Sequence, residues 1–354
     1  MSAAGLGTPP APLVRAGLAG DDPQRDAYVR AHPRGTFFHL SGWRRMVERV
    51  HGHEPLELLA FEGERLVGVL PLMLCRAPFL RARLVSMPYA TYGGPLGDDA
   101  AVEARLVGRA RELAEELRVA YLELRCIEDA GLGLVPNTLY STFVRDLPAD
   151  PADVLARMPK KARAEARKAR EKHGLELASG HWYLDDLRRM FLLNKHELGS
   201  PGLPRAHFQA LLELFERSTW VHLVRQGTRP RAAVMSFAFG KTLIAYYAGT
   251  EPGADRAVSA SNFMYMALQE WAVERGFERF DFCRSRADSG AFEFKRHQGF
   301  EPTPLHYGYH FVRRKKLPSF TPSNPRTGVL RAAWSRLPLW MARALTERLP
   351  RYLP

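Results

Sequence analysis

The stretch Phe280-Asp-Phe-Cys-Arg-Ser-Arg-Ala-Asp-Ser-Gly-Ala-Phe-Glu-Phe-Lys-Arg-His-Gln-Gly-Phe300 is the richest in chemically useful side chains. A strand over Arg279–Cys283 ends in a polar turn with Arg284, Ser285, Arg286 and Ser289. Gly290 then opens a short aromatic run, and Lys295 follows five residues later. Strand-end loops of α/β scaffolds are where binding groups gather. Two arginines and a lysine in such a place suit a phosphate or a developing oxyanion. A structural reading stands beside this one: Arg284 caps a carbonyl, Asp281 makes a salt bridge and Lys295 is merely exposed.

A second group is defined by charge. The formal net charge is +13, and it is unevenly placed. Arg157 to His173 carries eight Lys/Arg against two acidic residues, and Arg313 to the end carries ten against one. The remainder of the chain is −2. Clustered charges add their fields, so Lys160, Lys161, Arg163, Arg167 and Lys168 are candidates for holding a polyanion. The partner class is tRNA, an anionic lipid surface or a diphosphate-linked precursor; a solvated helix face is the alternative.

Other spacings carry less. His51-Gly-His53 and His306-x-x-x-His310 resemble metal spacings, but no cysteine or carboxylate cluster accompanies them, and no metal is expected. No GxSxG elbow, HExxH or GxxxxGKS loop occurs. Tyr92-Gly93-Gly94-Pro95 reads as a tight turn whose glycines would also permit close approach of a ligand.

These residues need a frame, and the hydrophobic pattern supplies one. Leu56–Phe61 and Leu66–Cys75 read as strands flanking the turn Glu62-Gly-Glu-Arg65. Val102, Leu106, Ala110, Leu113 and Leu117 recur at helical spacing, and Tyr121–Arg125 reads as a strand. Pro148 and Pro151 bracket a break. Pro159 to Lys172 is rich in helix formers, has a thin stripe of Ala162, Ala166 and Ala169, and closes at Gly174. Val221–Arg225 and Ala232–Phe239 then flank a turn at Gln226–Pro230. Phe263, Met264, Ala267, Leu268 and Trp271 mark a helix, with Ser259 or Ser261 placed to cap it and Gly276 to end it. The order of hairpin, Gly-containing aromatic stretch, helix and strand therefore occurs twice, which points to an internal duplication.

The expected fold is mixed α/β (α+β) in two similar domains, 1–150 and 174–316, joined by a basic helix over 151–173. Residues 317–354 form a tail punctuated by Pro318, Pro322, Pro325, Pro338, Pro350 and Pro354. Within it, Ala333, Trp334, Leu337, Met341, Ala344 and Leu345 fall on one helical arc with Arg336 and Arg343 opposite, and Pro338 kinks or restarts the helix. That arc is expected to pack against the body, although such a helix also suits a membrane surface.

Composition excludes several classes. Hydrophobic residues at 46% and charged residues at 25% fit a folded protein over 354 residues. The densest apolar run, Leu66 to Leu74, is far short of the ~20 residues that span a bilayer. The first residues show neither a secretory nor a myristoylation pattern. Cys75, Cys126 and Cys283 offer no disulfide framework. A reduced, cytoplasmic protein is expected, with contact at the inner face of the membrane left open.

Four segments taken together resemble the FemAB-like proteins of the GNAT superfamily. They are Phe38-His-Leu-Ser-Gly-Trp43; Val67–Leu72 followed by Tyr92-Gly-Gly94; Lys160–Ala169; and Phe280–Phe300. The similarity runs from about Leu13 through Asn324-Pro325 and Trp334-x-x-Leu-Pro338, and it is greatest to the FemAB-like group of exosortase/PEP-CTERM exopolysaccharide systems. The resemblance implies two tandem GNAT-like domains and acyl or aminoacyl transfer to an amine of a peptidoglycan or other envelope precursor. It implies no bound cofactor, and a donor that is either aminoacyl-tRNA or acyl-CoA. DNA is not an expected partner.

In such chemistry an amine loses a proton and an oxyanion must be held. The resemblance makes Lys295 and Arg284 candidates for the second task, and Asp281 is a candidate base. Trp43, Tyr92, Gly93, Gly94, Ser285, Arg286 and Asn262 are the substrate-binding candidates. Two features depart from the family pattern: the Q/R-x-x-G-x-G/A pyrophosphate loop of acyl-CoA enzymes is missing, and the basic helix is short. A same-class rival is an acyl-CoA N-acyltransferase with an altered loop. A different-class rival is a non-catalytic basic scaffold for an anionic precursor, a membrane or RNA.

Overall fold

The computed structural model describes residues 12–78, 80–129, 131–317 and 325–352. Pro318, Pro322, Asn324, Pro354 and the first eleven residues lie outside them. Two compact units result. The first holds the described residues up to Arg44, then His53–Pro136 and His306–Lys315. The second holds Arg45–Gly52, Asn137–Leu305 and the described residues from Lys316 onward.

Strand pairing explains why these borders differ from breaks at 150 and 316. Val144–Asp146 pairs with Arg279–Asp281, deep in the second unit. His306–Phe311 instead returns to pair along its whole length with Tyr121–Cys126 of the first. Hydrogen bonding across strands decides membership, and the prolines at 148 and 151 mark only a turn.

The first unit is built on β1 (Leu13–Ala16), β2 (Leu58–Glu62), β3 (Arg65–Leu70), β4 (Met73–Ala77), β5 (Leu80–Val85) and β6 (Tyr121–Cys126). Helices α1 (Asp22–Ala31), α2 (Ser41–His51, counted with the second unit from Arg45 onward) and α3 (Ala100–Glu116) accompany them. The run Leu66–Cys75, expected as one strand, is two strands broken before Met73, because Pro71 cannot donate to a ladder. Helix α3 begins at Asp99, whose side chain accepts from Val102 N at 2.8 Å. It buries Val102, Leu106 and Ala110 with Leu58, Ala60 and Val67 of the sheet. Gly68 allows that approach, since a Cβ there would lie 2.7 Å from Val102 Cγ1. Strands β5 and β6 are parallel at Leu84–Leu122 and Val85–Glu123.

The second unit repeats this logic on a six-stranded sheet. Its strands are β7 (Val144–Asp146), β8 (Leu175–Ser179), β9 (Thr219–Gln226), β10 (Arg229–Phe239), β11 (Thr242–Thr250) and β12 (Arg279–Asp281), in the order β7-β12-β11-β10-β9-β8. Strands β8 to β11 are antiparallel neighbours, while β11 and β12 are parallel. The helices are α4 (Lys160–Glu171), α5 (Leu184–Glu197), α6 (Arg205–Leu214), α7 (Ala260–Glu274) and α8 (Gly290–His297). Alternation along β10 sends Ala232 and Val234 into the core shared with α4 and α7. Phe237 turns the other way, where Tyr247 meets Phe191 of α5 and Phe208 of α6. A parallel strand pair with its crossover helix thus occurs once in each unit.

Two short helices close the chain: α9 (Pro325–Ser335) and α10 (Leu339–Thr346), the latter restarting at Pro338. The break dissolves the single arc expected from the sequence. Ala342 and Thr346 are buried, whereas Ala333, Ala344 and Leu345 are exposed.

Candidate active site

The parallel pair of the second unit is short. Strand β12 matches β11 only at Thr242–Arg279, Leu243–Phe280 and Ile244–Asp281, after which the two part. Just past that point β11 carries a bulge: Met235 faces Tyr247 and Ser236 faces Ala245, leaving Tyr246 as the extra residue. Bulges re-aim side chains and occur beside active sites. On the β12 side, Phe282 N donates to Phe143 O at 2.9 Å, and the chain turns at Cys283, whose φ is +57°. Asp281 Oδ1 accepts from Cys283 N at 2.6 Å and fixes that turn.

Lys295 holds the same turn from the other side. Ser289 starts α8 by accepting from Phe292 N at 3.2 Å. Lys295 then stands in the last turn of α8 and reaches back. Its ammonium donates to the carbonyl oxygens of Phe282 (2.7 Å), Cys283 (3.0 Å) and Arg284 (3.2 Å). The rings of Phe143 and Phe282 lie beside it. Burial pushes its pKa down to about 8; Cys283 and Asp281 oppose that shift and Arg284 adds to it.

An ammonium has three protons, and all three are spent on carbonyls here. Lys295 is therefore neither merely exposed nor free to meet an oxyanion in this arrangement. It positions the turn that presents Arg284. Lys295 itself caps three carbonyls of that turn.

Arg284 is half-buried, with its guanidinium 4.9 Å from the Tyr140 ring centroid. A second cation, absent from the sequence reading, joins it. Lys195, in the last turn of α5, has its Nζ 5.3 Å from the Phe191 ring centroid. Burial lowers its pKa, and the nearby charge of Arg284 lowers it further. Among the described residues no carboxylate lies within ion-pair distance of Lys195. Three cations of one sign thus gather where β11 and β12 part, an arrangement suited to an anionic group.

The bulge adds a buried polar chain. Tyr247 Oη lies 2.7 Å from His207 Nε2, and His207 Nδ1 lies 2.9 Å from His51 Nε2. Burial drives the His207 pKa down to about 3. A histidine that stays neutral at every working pH is a poor general base but a firm support for Tyr247.

The other predicted site residues separate into groups. Ser285 is buried and pairs with Ser141, and the half-buried Arg286 pairs with Tyr140; both stay beside Arg284. Asn262 accepts from Gln298 Nε2 at 2.7 Å, tying α7 to the end of α8. Trp43, Tyr92, Gly93 and Gly94 belong to the first unit and are buried. Trp43 Nε1 donates to Pro88 O at 3.1 Å, and a Cβ on Gly93 would lie 2.5 Å from Ser86 O. Both glycines sit where neighbouring segments of the chain approach closely.

The basic helix α4 buries its alanine stripe against α7 and leaves Lys160, Lys161, Arg167 and Lys168 exposed. None of these four has an ion-pair partner among the described residues. Arg163 is half-buried and donates to Ala156 O at 3.1 Å. Carboxylates occupy the start of α7. The Ser259 hydroxyl donates to Glu165 of α4, and Asp255 Oδ1 accepts from Ser261 N at 2.7 Å. Ser259 holds the N-cap position of α7 without a side-chain capping bond, and Asp255 supplies the side-chain acceptor at that helix end. Among the described residues no group of His, Cys, Asp and Glu could hold a metal ion, and no helix is long and apolar enough to cross a membrane.

Residues 156–296, which contain α4, the parallel pair and Lys295, match the family described as acetyltransferase (GNAT) domain. That match supports an acyltransferase. Most of the chain also shares the fold of several solved structures. FemX aligns with TM-score 0.66 at 11% identity, covering 85% of this chain and 98% of that one. The C-terminal domain of a putative lysylphosphatidylglycerol synthetase from Agrobacterium fabrum gives 0.54 at 14%, covering 84% and 93%. A tandem GNAT protein from the clavulanic acid biosynthesis pathway gives 0.51 at 14%, covering 86% and 100%. At these identities the likeness concerns the fold, and it is one of tandem GNAT-like units, as the duplicated strand–helix–strand frame requires. No curated protein sequence matches the chain.

Proposed function

We propose that the GNAT domain transfers an aminoacyl group from charged tRNA to an amine of a cell-envelope or exopolysaccharide precursor. The FemAB-like resemblance, including the exosortase/PEP-CTERM group, supplies the acceptor class. The observation that carries the reading is the cationic turn where β11 and β12 part: Arg284 presented by Lys295 and joined by Lys195. Positive groups aimed at one place stabilise the charge that develops as an amine attacks an ester carbonyl. Arg284 serves as the electrostatic stabiliser, and Lys295 positions it. In the reaction the amine nitrogen bonds to the carbonyl carbon, the ester C–O bond breaks, and the ribose oxygen leaves with a proton. No protein group stands out as the base; Asp281 is committed to Cys283 N.

Two features favour charged tRNA over acyl-CoA. The exposed cations of α4 suit a phosphodiester backbone. The start of α7, where a helix N-terminus would otherwise welcome a diphosphate, meets an incoming anion with Glu165 and Asp255. Reversing Lys160, Lys161 and Arg163 to glutamate tests the donor. Charged-tRNA binding should fall at least ~100-fold, with a shallower salt dependence. Undiminished binding would return the donor to acyl-CoA.

A further inference from the structure

The terminal helices expose apolar side chains that the acyltransferase reading does not use. Four described large hydrophobic residues are at least 70% exposed, and three of them lie here: Val329 (70%), Leu330 (70%) and Trp340 (71%). Isolated exposed hydrophobics are ordinary, but a concentration within two adjacent short helices is not.

The helices are firmly seated, so the exposure does not come from an undocked segment. Arg331 Nη2 donates to Leu198 O at 3.0 Å, and His196 Nε2 lies 2.9 Å from Leu337 O. Glu347 pairs with Arg188 at 3.1 Å and accepts from Arg205 N at the same distance. Ala342 and Thr346 are buried beneath. The Arg331 contact places Leu198, itself 59% exposed, beside α9 and extends the apolar surface.

Charge identifies what covers this surface. Arg336, Arg343, Arg348 and Arg351 are all exposed, and none has a carboxylate within ion-pair distance among the described residues. Glu347, the acidic residue between them, is spent on Arg188 and Arg205. We infer that α9 and α10 dock the protein on an anionic phospholipid surface, with Val329, Leu330 and Trp340 entering the headgroup boundary and the arginines facing lipid phosphates. A second copy of the chain fits worse, because a two-fold contact would set the same arginines against each other. RNA also fits worse, since Trp340 offers a single ring for a base to stack on and the aliphatic Val329 and Leu330 offer none.

Sedimentation of the full chain with vesicles tests this. Vesicles of phosphatidylcholine with about one-third phosphatidylglycerol should bind it, and phosphatidylcholine alone should not. Binding should weaken steeply between about 0.1 M and about 0.5 M salt. Arg336→Ala and Arg343→Ala should each lower partitioning about fivefold. Val329→Ser with Leu330→Ser and Trp340→Ser should nearly abolish it, with an unchanged unfolding midpoint because the side chains are exposed. Should that triple variant misfold, Trp340→Ala alone should still cut binding severalfold. Lys160→Glu with Lys161→Glu should leave vesicle binding as it was. The inference is overturned by failure to bind anionic vesicles, by equal binding of the Trp340 variant, or by loss of binding on reversing Lys160 and Lys161. Self-association or RNA retention through these helices in place of vesicle binding would overturn it as well.

Discussion

Each unit ends its parallel strand pair in a turn whose carbonyl oxygens are held by one cation, and the two turns have opposite character. In the first unit Arg125 Nη1 donates to the carbonyl oxygens of Ala90 (2.9 Å) and Met87 (3.2 Å), while its Nε donates to Glu123 at 2.8 Å. That cation is neutralised by its own carboxylate. The loop it holds carries Ser86, Met87, Ala90, Tyr92 and Gly93 into the interior. In the second unit Lys295 holds three carbonyls, and its field is reinforced by Arg284. One copy of the frame is closed and neutral; the other is half-exposed and cationic. Under the proposed function acyl transfer falls to the second, while Trp43, Tyr92, Gly93 and Gly94 lie buried in the first.

Substitutions can break this contrast. Arg125→Ala strands buried Glu123 and the loop carbonyls, and should cost about 3–5 kcal/mol of stability in denaturant titration. A loss under about 1 kcal/mol would mean that Arg125 does not hold the first unit closed. Lys295→Ala should lower turnover about 100-fold or more while changing charged-tRNA affinity little. Unchanged turnover would remove the positioned turn from the mechanism. Gly93→Ala, which drives a Cβ onto Ser86 O, should destabilise by about 1–3 kcal/mol and leave donor binding alone.

The lysine also gives a pH signature. Its folded pKa of about 8 lies below the usual 10.5, so the unfolded chain binds more protons between those values. This group's contribution to stability therefore rises with pH across that window, and Lys295→Met should flatten the rise. Turnover should move oppositely and fall above about pH 8, as the ammonium that grips three carbonyls deprotonates. The smallest effect belongs to α4. Lys160→Glu and Lys161→Glu are exposed changes and should alter the unfolding midpoint by less than about 0.5 kcal/mol each.

Local patterns were readable in the sequence wherever neighbours along the chain cause them. The turn at Glu62–Arg65, the alanine stripe of α4, the apolar spacing of α7 and the repeated order of elements all appear in the structure. Helix α5 was missed although Leu184, Leu187 and Phe191 stand at helical spacing. The segment Gly290–His297, read as an aromatic run, is a helix capped by Ser289.

What the sequence could not show depends on distant partners. Lys195 gains meaning from Arg284, and His51 from His207, with no local signal for either pairing. The buried ion pair of Arg25 with Glu57, at 2.5 Å, is hidden for the same reason. Lys295 was singled out by position, but its three-carbonyl grip depends on the left-handed turn at Cys283, which residue type does not announce.

The most direct test is equilibrium binding of charged tRNA and of acyl-CoA to the purified chain, side by side at near-physiological salt. Saturable binding of charged tRNA, weakened by reversing Lys160, Lys161 and Arg163 to glutamate, with no saturable acyl-CoA site, is the predicted result. Saturable acyl-CoA binding that is lost on changing Arg284, with charged tRNA unbound, would contradict it.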